Sequence, residues 1–245
     1  MTSQTLVGKA VLVTGGARRI GREIALELAS AGADVTITYR NSKDEAEQTL
    51  QLIKQLGRLA IALECDVRSE PSVRSAISAS VRFHGHLDVL VNNAAIYEAA
   101  QLDTLSLDQW DAVFETNARG PFLVAREALP HLRASHGRII NIGSLGGLRA
   151  WPGHAHYCAS KAALHMLTEA MAKAFAPEVA VNCVAPGWIE FDEDKGTPAT
   201  QRFAAKTPMQ RNGTAKDVAQ AVAFFAGTSD FITGQVLTVD GGLGL

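Results

Sequence analysis

The chain has 245 residues, of which 47% are hydrophobic, 20% charged and 6% aromatic. This composition excludes a disordered chain and fits one large α/β domain over residues 1–245. A formal net charge of −2 leaves no basic excess to neutralise a phosphate backbone, which argues against nucleic acid as the main partner.

Short β-branched runs alternate with longer amphipathic stretches. Ala10–Thr14 reads as a buried strand, and Ile20, Ile24 and Leu28 then recur at helical spacing. Strand Asp34–Tyr39 is followed by helix Lys43–Leu56, strand Leu59–Leu63 by helix Glu70–Phe83, and strand Leu87–Val91 by a long helical region over Leu107–Ala134. Next come strand Arg138–Ile142, helix His156–Phe175 and strand Val179–Val184, then helix Lys216–Phe225 and a last strand, Gln235–Val239. Such alternation implies parallel strands with right-handed crossovers. The expected fold is α/β, doubly wound, with a mostly parallel seven-stranded sheet and helices on both faces, the Rossmann type.

The polar start Met1–Lys9 lacks an apolar signal core, and no apolar run reaches the roughly 20 residues that span a bilayer. A cytoplasmic protein without membrane contact is expected. Cys65, Cys158 and Cys183 are odd in number and lack CxxC spacing. They read as small buried apolar residues rather than disulfides or zinc ligands. Pro186–Gly213 breaks the rhythm with little periodicity, and the part over residues 187–213 is expected to be a substrate loop or lid. Its acids, Glu190, Asp192, Glu193 and Asp194, read as a solvated loop face rather than a metal site.

Between the first strand and first helix lies Thr14-Gly15-Gly16-Ala17-Arg18-Arg19-Ile20-Gly21. Glycines there let backbone approach a pyrophosphate, and the helix N-terminus offers amide donors. The second strand ends in Tyr39-Arg40-Asn41-Ser42, without the acid that would hold the ribose hydroxyls of NAD. Arg40 and Ser42, with Arg18 nearby, instead suit a 2′-phosphate, so the expected cofactor is NADP(H).

Tyr157 and Lys161 are four residues apart on an expected helix and share a face. Ser144 follows a strand thirteen residues before Tyr157, and Asn117 lies within the long helical region. Carbonyl reduction needs a hydride donor, a proton donor and stabilisation of the developing oxyanion. A phenol of pKa about 10 suits this when a nearby lysine ammonium lowers it.

With Cys65-Asp66-Val67, Asn92-Asn93-Ala94-Ala95, Pro186-Gly187 and the ending Gly234–Gly242, these motifs resemble the short-chain dehydrogenase/reductase family over nearly the whole chain. The resemblance implies Tyr157 as general acid and Ser144 as hydrogen-bond partner of the substrate oxygen. It implies Lys161 at the nicotinamide ribose and Tyr157, and Asn117 in a water-linked proton relay. For the cofactor it implies Gly15, Arg18, Arg19, Ile20, Gly21 and the Tyr39–Ser42 run. It adds Asp66 and Val67 at the adenine, Asn93 and Ala94 beside the ribose, and Pro186, Gly187 and Ile189 near the nicotinamide.

Arg19 stands where the family usually has glycine, a variant similar to pteridine reductases. Tyr97 occupies a position where those enzymes place an aromatic against a pterin. Ser144, where they commonly carry Asp, and Ala95, where they have Ser, count the other way. Arg19, Tyr97, Ser144 and Trp188 are the candidate substrate contacts. The leading substrate is pterin-like or another planar carbonyl or imine, followed by a 3-oxoacyl thioester and then a generic ketone. The acidic lid disfavours an acidic acyl carrier protein, while Arg126, Arg133 and Arg138 offer a basic patch elsewhere. A non-catalytic NADP(H)-binding regulator would have lost Tyr157 or Lys161, and both are present. His84-Gly85-His86 and His154-Ala155-His156 read as surface or supporting histidines with no metal expected, and His154 and His156, just before Tyr157, are expected to line the substrate cleft. The family resemblance implies a homotetramer. Leu164, Leu167 and Met171 form an apolar face that serves either core or interface.

Overall fold

The computed structural model describes residues 5–245. The first four residues of the polar start Met1–Lys9, and of the span 1–245, lie outside the described residues. Seven strands form one parallel sheet: β1 Ala10–Val13, β2 Asp34–Tyr39, β3 Ala60–Glu64, β4 Val89–Asn92, β5 Arg138–Ile142, β6 Ala180–Pro186 and β7 Val236–Val239. Their order is β3-β2-β1-β4-β5-β6-β7. The order reverses beside β1, where Val11 pairs with Val35 on one side and Val89 on the other. A ligand crevice is expected beyond the strand ends at such a point.

Both faces of the sheet are covered, which is why its central strands are continuously apolar instead of alternating. Val11, Val13, Val89 and Val91 pack with Ile24 and Leu28 of α1 (Arg19–Ser30) and with Val218, Val222 and Phe225 of a C-terminal helix, Ala215–Gly227. Leu12, Leu90 and Ile139 point to the opposite face. There they meet Val73 and Ile77 of a helix at Glu70–His84 and Val124, Ala128 and Leu132 of another at Gly120–Ser135. In chain order the helices are α1, α2 (Lys43–Gln55), α3 (Glu70–His84), α4 (Leu107–Phe114), α5 (Gly120–Ser135), α6 (Ala155–Phe175), α7 (Pro198–Lys206) and α8 (Ala215–Gly227).

The long helix expected over Leu107–Ala134 is divided by a widened π turn, Glu115–Arg119. Pro121 has no N–H for the carbonyl four residues back, and the Gly120 N–H reaches instead to Glu115 O. The segment Pro186–Gly213 is not aperiodic throughout, because it contains α7. Thr197 Oγ1 accepts the Thr200 N–H, and Pro198 fills the first helical position, where a missing N–H is harmless.

Leu164 and Met171 of α6 are buried and Leu167 packs against the core, so this face belongs to the interior. Cys65 and Cys183 are buried, whereas Cys158 is only partly covered. His156 is not at the surface: its ring is wholly enclosed, because it lies on the inward side of α6 one residue before Tyr157. No helix among the described residues is long and apolar enough to cross a membrane.

Candidate functional site

A cleft of about 660 Å³ lies at the carboxyl ends of the strands. All the candidate cofactor and substrate residues line it, as do Ser144, Tyr157 and Lys161. Asn117 does not.

At the nucleotide end, two glycines flanking the turn after β1 have no room for a side chain. Gly15 has φ +63°, and a Cβ there would stand 3.0 Å from Ala94 Cα. A Cβ on Gly21 would overlap the Gly15 carbonyl oxygen. Asn93 holds this turn from the neighbouring strand end: its Nδ2 donates to Thr14 O at 2.9 Å and Gly15 O at 3.0 Å. The amide expected beside a ribose is therefore also a brace for the glycine turn. Arg18, exposed, precedes α1, whose first turn has no acid to neutralise its positive end. Arg40 and Asn41 are exposed after β2. Asp66, expected at the adenine, is gripped by Arg68 through Nη2–Oδ2 at 2.6 Å and Nε–Oδ1 at 3.0 Å, which holds its carboxyl down to about 2.

At the other functional group, β5 ends and the chain turns through Leu145–Gly147. Ser144 Oγ accepts the Gly146 N–H at 3.0 Å, which leaves its own proton free to be donated. Tyr157 and Lys161 stand one turn apart on α6. Lys161 Nζ donates to Ile142 O at 2.7 Å and lies 5.9 Å from the centroid of the Tyr157 ring. The expectation that Lys161 lowers the phenol is corrected here. Burial dominates and pushes Tyr157 up to about 12, and Ser144 is the group that draws it down. Burial also pushes Lys161 down to about 8.

Asn117, in the π turn, is fully enclosed and fully used. Its Oδ1 accepts the Ile96 N–H at 2.9 Å, and its Nδ2 donates to Ile96 O at 2.9 Å and Ser160 Oγ at 3.1 Å. It thus ties the connection carrying Tyr97 to the helix carrying Lys161.

The remaining wall is aromatic. Tyr97 stacks on His154 at 4.8 Å and meets Tyr157 edge-on at 4.9 Å. Trp151 lies nearly parallel to Tyr157, with centroids 6.5 Å apart. Trp188 stacks on Phe203 of α7 at 4.1 Å. Arg19, with φ +50°, bonds Glu193 at 2.6 Å and lies over the Phe191 ring at 5.0 Å. Glu193 (to Arg19), Asp192 (to Lys195) and Glu190 (to Asn212) are paired, and Asp192 and Glu193 stay exposed, in keeping with a solvated loop face. Trp151 and Phe191 line the cleft and are not among the sequence candidates, and Asp194 of the acid cluster lines it too. An aromatic in a Gly/Pro loop just after a strand end is the signal that marks Trp151. Among the described residues, no group of three or more His, Cys, Asp or Glu side chains gathers as a metal site. His84 instead bonds Thr36 at 3.0 Å, and His86 bonds Asp88 at 3.0 Å.

A family profile described as Enoyl-(Acyl carrier protein) reductase matches residues 15–244. The 3-oxoacyl-[acyl-carrier-protein] reductase FabG of Staphylococcus aureus is 38% identical over 96% of this chain and 98% of that protein. A trihydroxynaphthalene reductase of Colletotrichum orbiculare is 35% identical over 98% of this chain and 91% of that one. Among solved structures, a short-chain dehydrogenase of Burkholderia cenocepacia in complex with NADP superposes with TM-score 0.93 at 40% identity, covering 98% of this chain and 100% of that one.

Proposed function

Since the chain belongs to the short-chain dehydrogenase/reductase family, we propose that it is an NADPH-dependent reductase of a carbonyl or imine. One observation carries this reading: Ser144, Tyr157 and Lys161 line the same cleft as the glycine turn. The cradle fits a dinucleotide, since Gly15 and Gly21 hold backbone where any Cβ would collide. Arg18 and Arg40, with no acid at the end of β2, fit the phosphorylated form. The neighbour crystallised with NADP supports the same choice. Bound there, the nicotinamide supplies the hydride.

The chain's own residues supply the proton and the charge stabilisation. Ser144 Oγ–H donates to the substrate oxygen, while its acceptor side is engaged by Gly146. Tyr157, protonated throughout the neutral range, gives its phenolic proton to that oxygen as the carbonyl carbon is reduced. Lys161 remains an ammonium below pH about 8 and stabilises the negative charge left on the ring. Replacing Tyr157 by Phe should lower NADPH oxidation by about 100-fold or more. Near-wild-type turnover would refute the assignment.

For the substrate we propose a planar ring carbonyl or imine, of which a pterin-like ring is one member. The aromatic wall of Tyr97, Trp151 and Trp188 supports it, since ring stacking contributes on the order of 1 kcal/mol per pair. Ser144 favours a carbonyl oxygen over a ring nitrogen within that class. A 3-oxoacyl thioester is the second reading, favoured by the 38% identity to the S. aureus reductase. NADPH oxidation with dihydrobiopterin, a bicyclic ketone and an acetoacetyl thioester separates them. Cofactor binding without turnover on any of these would favour a non-catalytic role. A cytoplasmic homotetramer is the assembly proposed from the family, and light scattering of the purified protein tests its size.

A further inference from the structure

Behind Ser144 lies a buried histidine that plays no part in the reaction just described. His165 is on α6, one turn beyond Lys161, and is 5% exposed. Its ring occupies the space between two glycines that bracket Ser144. A Cβ on Gly143 would overlap His165 Nε2, and a Cβ on Gly147 would stand 2.6 Å from His165 Cε1.

The backbone explains why something is needed there. The β5–β6 ladder ends with Ile142 opposite Val184, and the Gly143 N–H still reaches Val184 O at 2.8 Å. Ser144 is the next residue, buried and extended, with its amide past the end of the strand pairing. A buried N–H in that position requires an acceptor. His165 Nε2 is that acceptor, at 3.4 Å. An imidazole that accepts through Nε2 carries its proton on Nδ1 when neutral, and this Nδ1–H has no partner among the described residues, so the bond to Ser144 is made at that cost. One charged neighbour bears on its charge state, Lys161 on the same helix, while Cys183 Sγ of β6 abuts Gly143. Burial and the Lys161 ammonium hold His165 down to about 4, so the ring is neutral at working pH.

We propose that His165 is a positioning residue for Ser144. As a neutral acceptor wedged between Gly143 and Gly147, it fixes the Ser144 amide and with it the direction of Oγ. The role in turnover rests on the reductase reading above. The acceptor geometry does not.

The test uses the 245-residue chain and three measurements. His165→Leu fills the space but accepts no hydrogen bond, and should lower kcat about tenfold or more while the NADPH dissociation constant stays within twofold. His165→Gln, whose Oε1 can take the place of Nε2, should restore kcat to within about threefold of wild type. In a Ser144→Ala background His165→Leu should have little further effect, because its influence runs through Ser144. Equal losses in Leu and Gln variants, or the same loss with Ser144 absent, would leave His165 a packing residue only. Ring ¹⁵N spectra, assigned with the Gln variant, should show a non-titrating Nδ1–H tautomer from pH 5.5 to 8.5. An Nε2–H tautomer, or titration in that range, overturns the proposal whatever the activity. Absence of wild-type turnover on every carbonyl tested would count against the reductase reading and leave the spectral result to judge the imidazole.

Discussion

Replacing Lys161 by Met tests the electrostatics of the site through stability, independently of turnover. The ammonium is 3% exposed, and burial lowers its pKa from 10.5 to about 8. The unfolded chain therefore holds a proton between pH 8 and 10.5 that the folded chain has lost. Stability accordingly rises with pH across that window, and the full penalty is present below about pH 8. At pH 7 the displacement corresponds to about 3 kcal/mol, falling to about 1 kcal/mol at pH 10. Met is apolar and of similar length, so it removes this penalty. It also removes the bond from Nζ to Ile142 O, which contributes about 1.5–3 kcal/mol. The net change at pH 7 is thus small, but its pH dependence is not. Urea unfolding of wild type and variant at pH 7, 8, 9 and 10, at fixed protein concentration, should show the wild type gaining about 2 kcal/mol relative to the variant. A difference that is flat across this range, or that moves the other way, would refute the reasoning. The variant should also lose NADPH oxidation.

Gly21→Ala should weaken NADPH binding by at least about tenfold, since its Cβ would overlap Gly15 O and stand 2.5 Å from Asn93 Nδ2; fluorescence titration measures it. Arg40→Asp should lower kcat/KM for NADPH by roughly 10- to 100-fold and leave NADH nearly unchanged, by removing a cation and adding a charge that repels a 2′-phosphate. Thr214→Ala should destabilise the fold by about 1 kcal/mol in thermal or urea melts, because Thr214 Oγ1 accepts the Asp217 N–H in the capping box of α8.

The sheet is legible because burial on both faces makes each central strand an apolar run, and α1 and α3 carry clear helical periodicity. Ser144, Tyr157 and Lys161 were legible as an ordered set of motifs, and the cleft brings them together. What stayed hidden depends on contacts between distant residues. The π turn follows from Pro121, a single residue within an otherwise helical pattern. The nine residues of α7 give too short a window for periodicity, although Thr197 and Pro198 marked its start. Nothing local distinguishes an enclosed His165 from an exposed one, because the glycines that make room for it lie about twenty residues away. The direction of the Tyr157 shift is not legible because spacing gives proximity to Lys161 but not the extent of desolvation.

The tie made by Asn117 has a consequence for changing what the protein accepts. It grips the main chain at Ile96, through both N–H and C=O, and no side chain on that stretch. Side chains from Ala95 to Tyr97 can therefore be exchanged while the strap holding their backbone survives. Trp188 and Phe203 form a separate stacked unit within one continuous stretch, so that stretch can be transplanted whole. The apparatus that handles the proton hangs from β5 and α6, outside both replaceable parts. One scaffold can in this way be refitted for new compounds by swapping two connections.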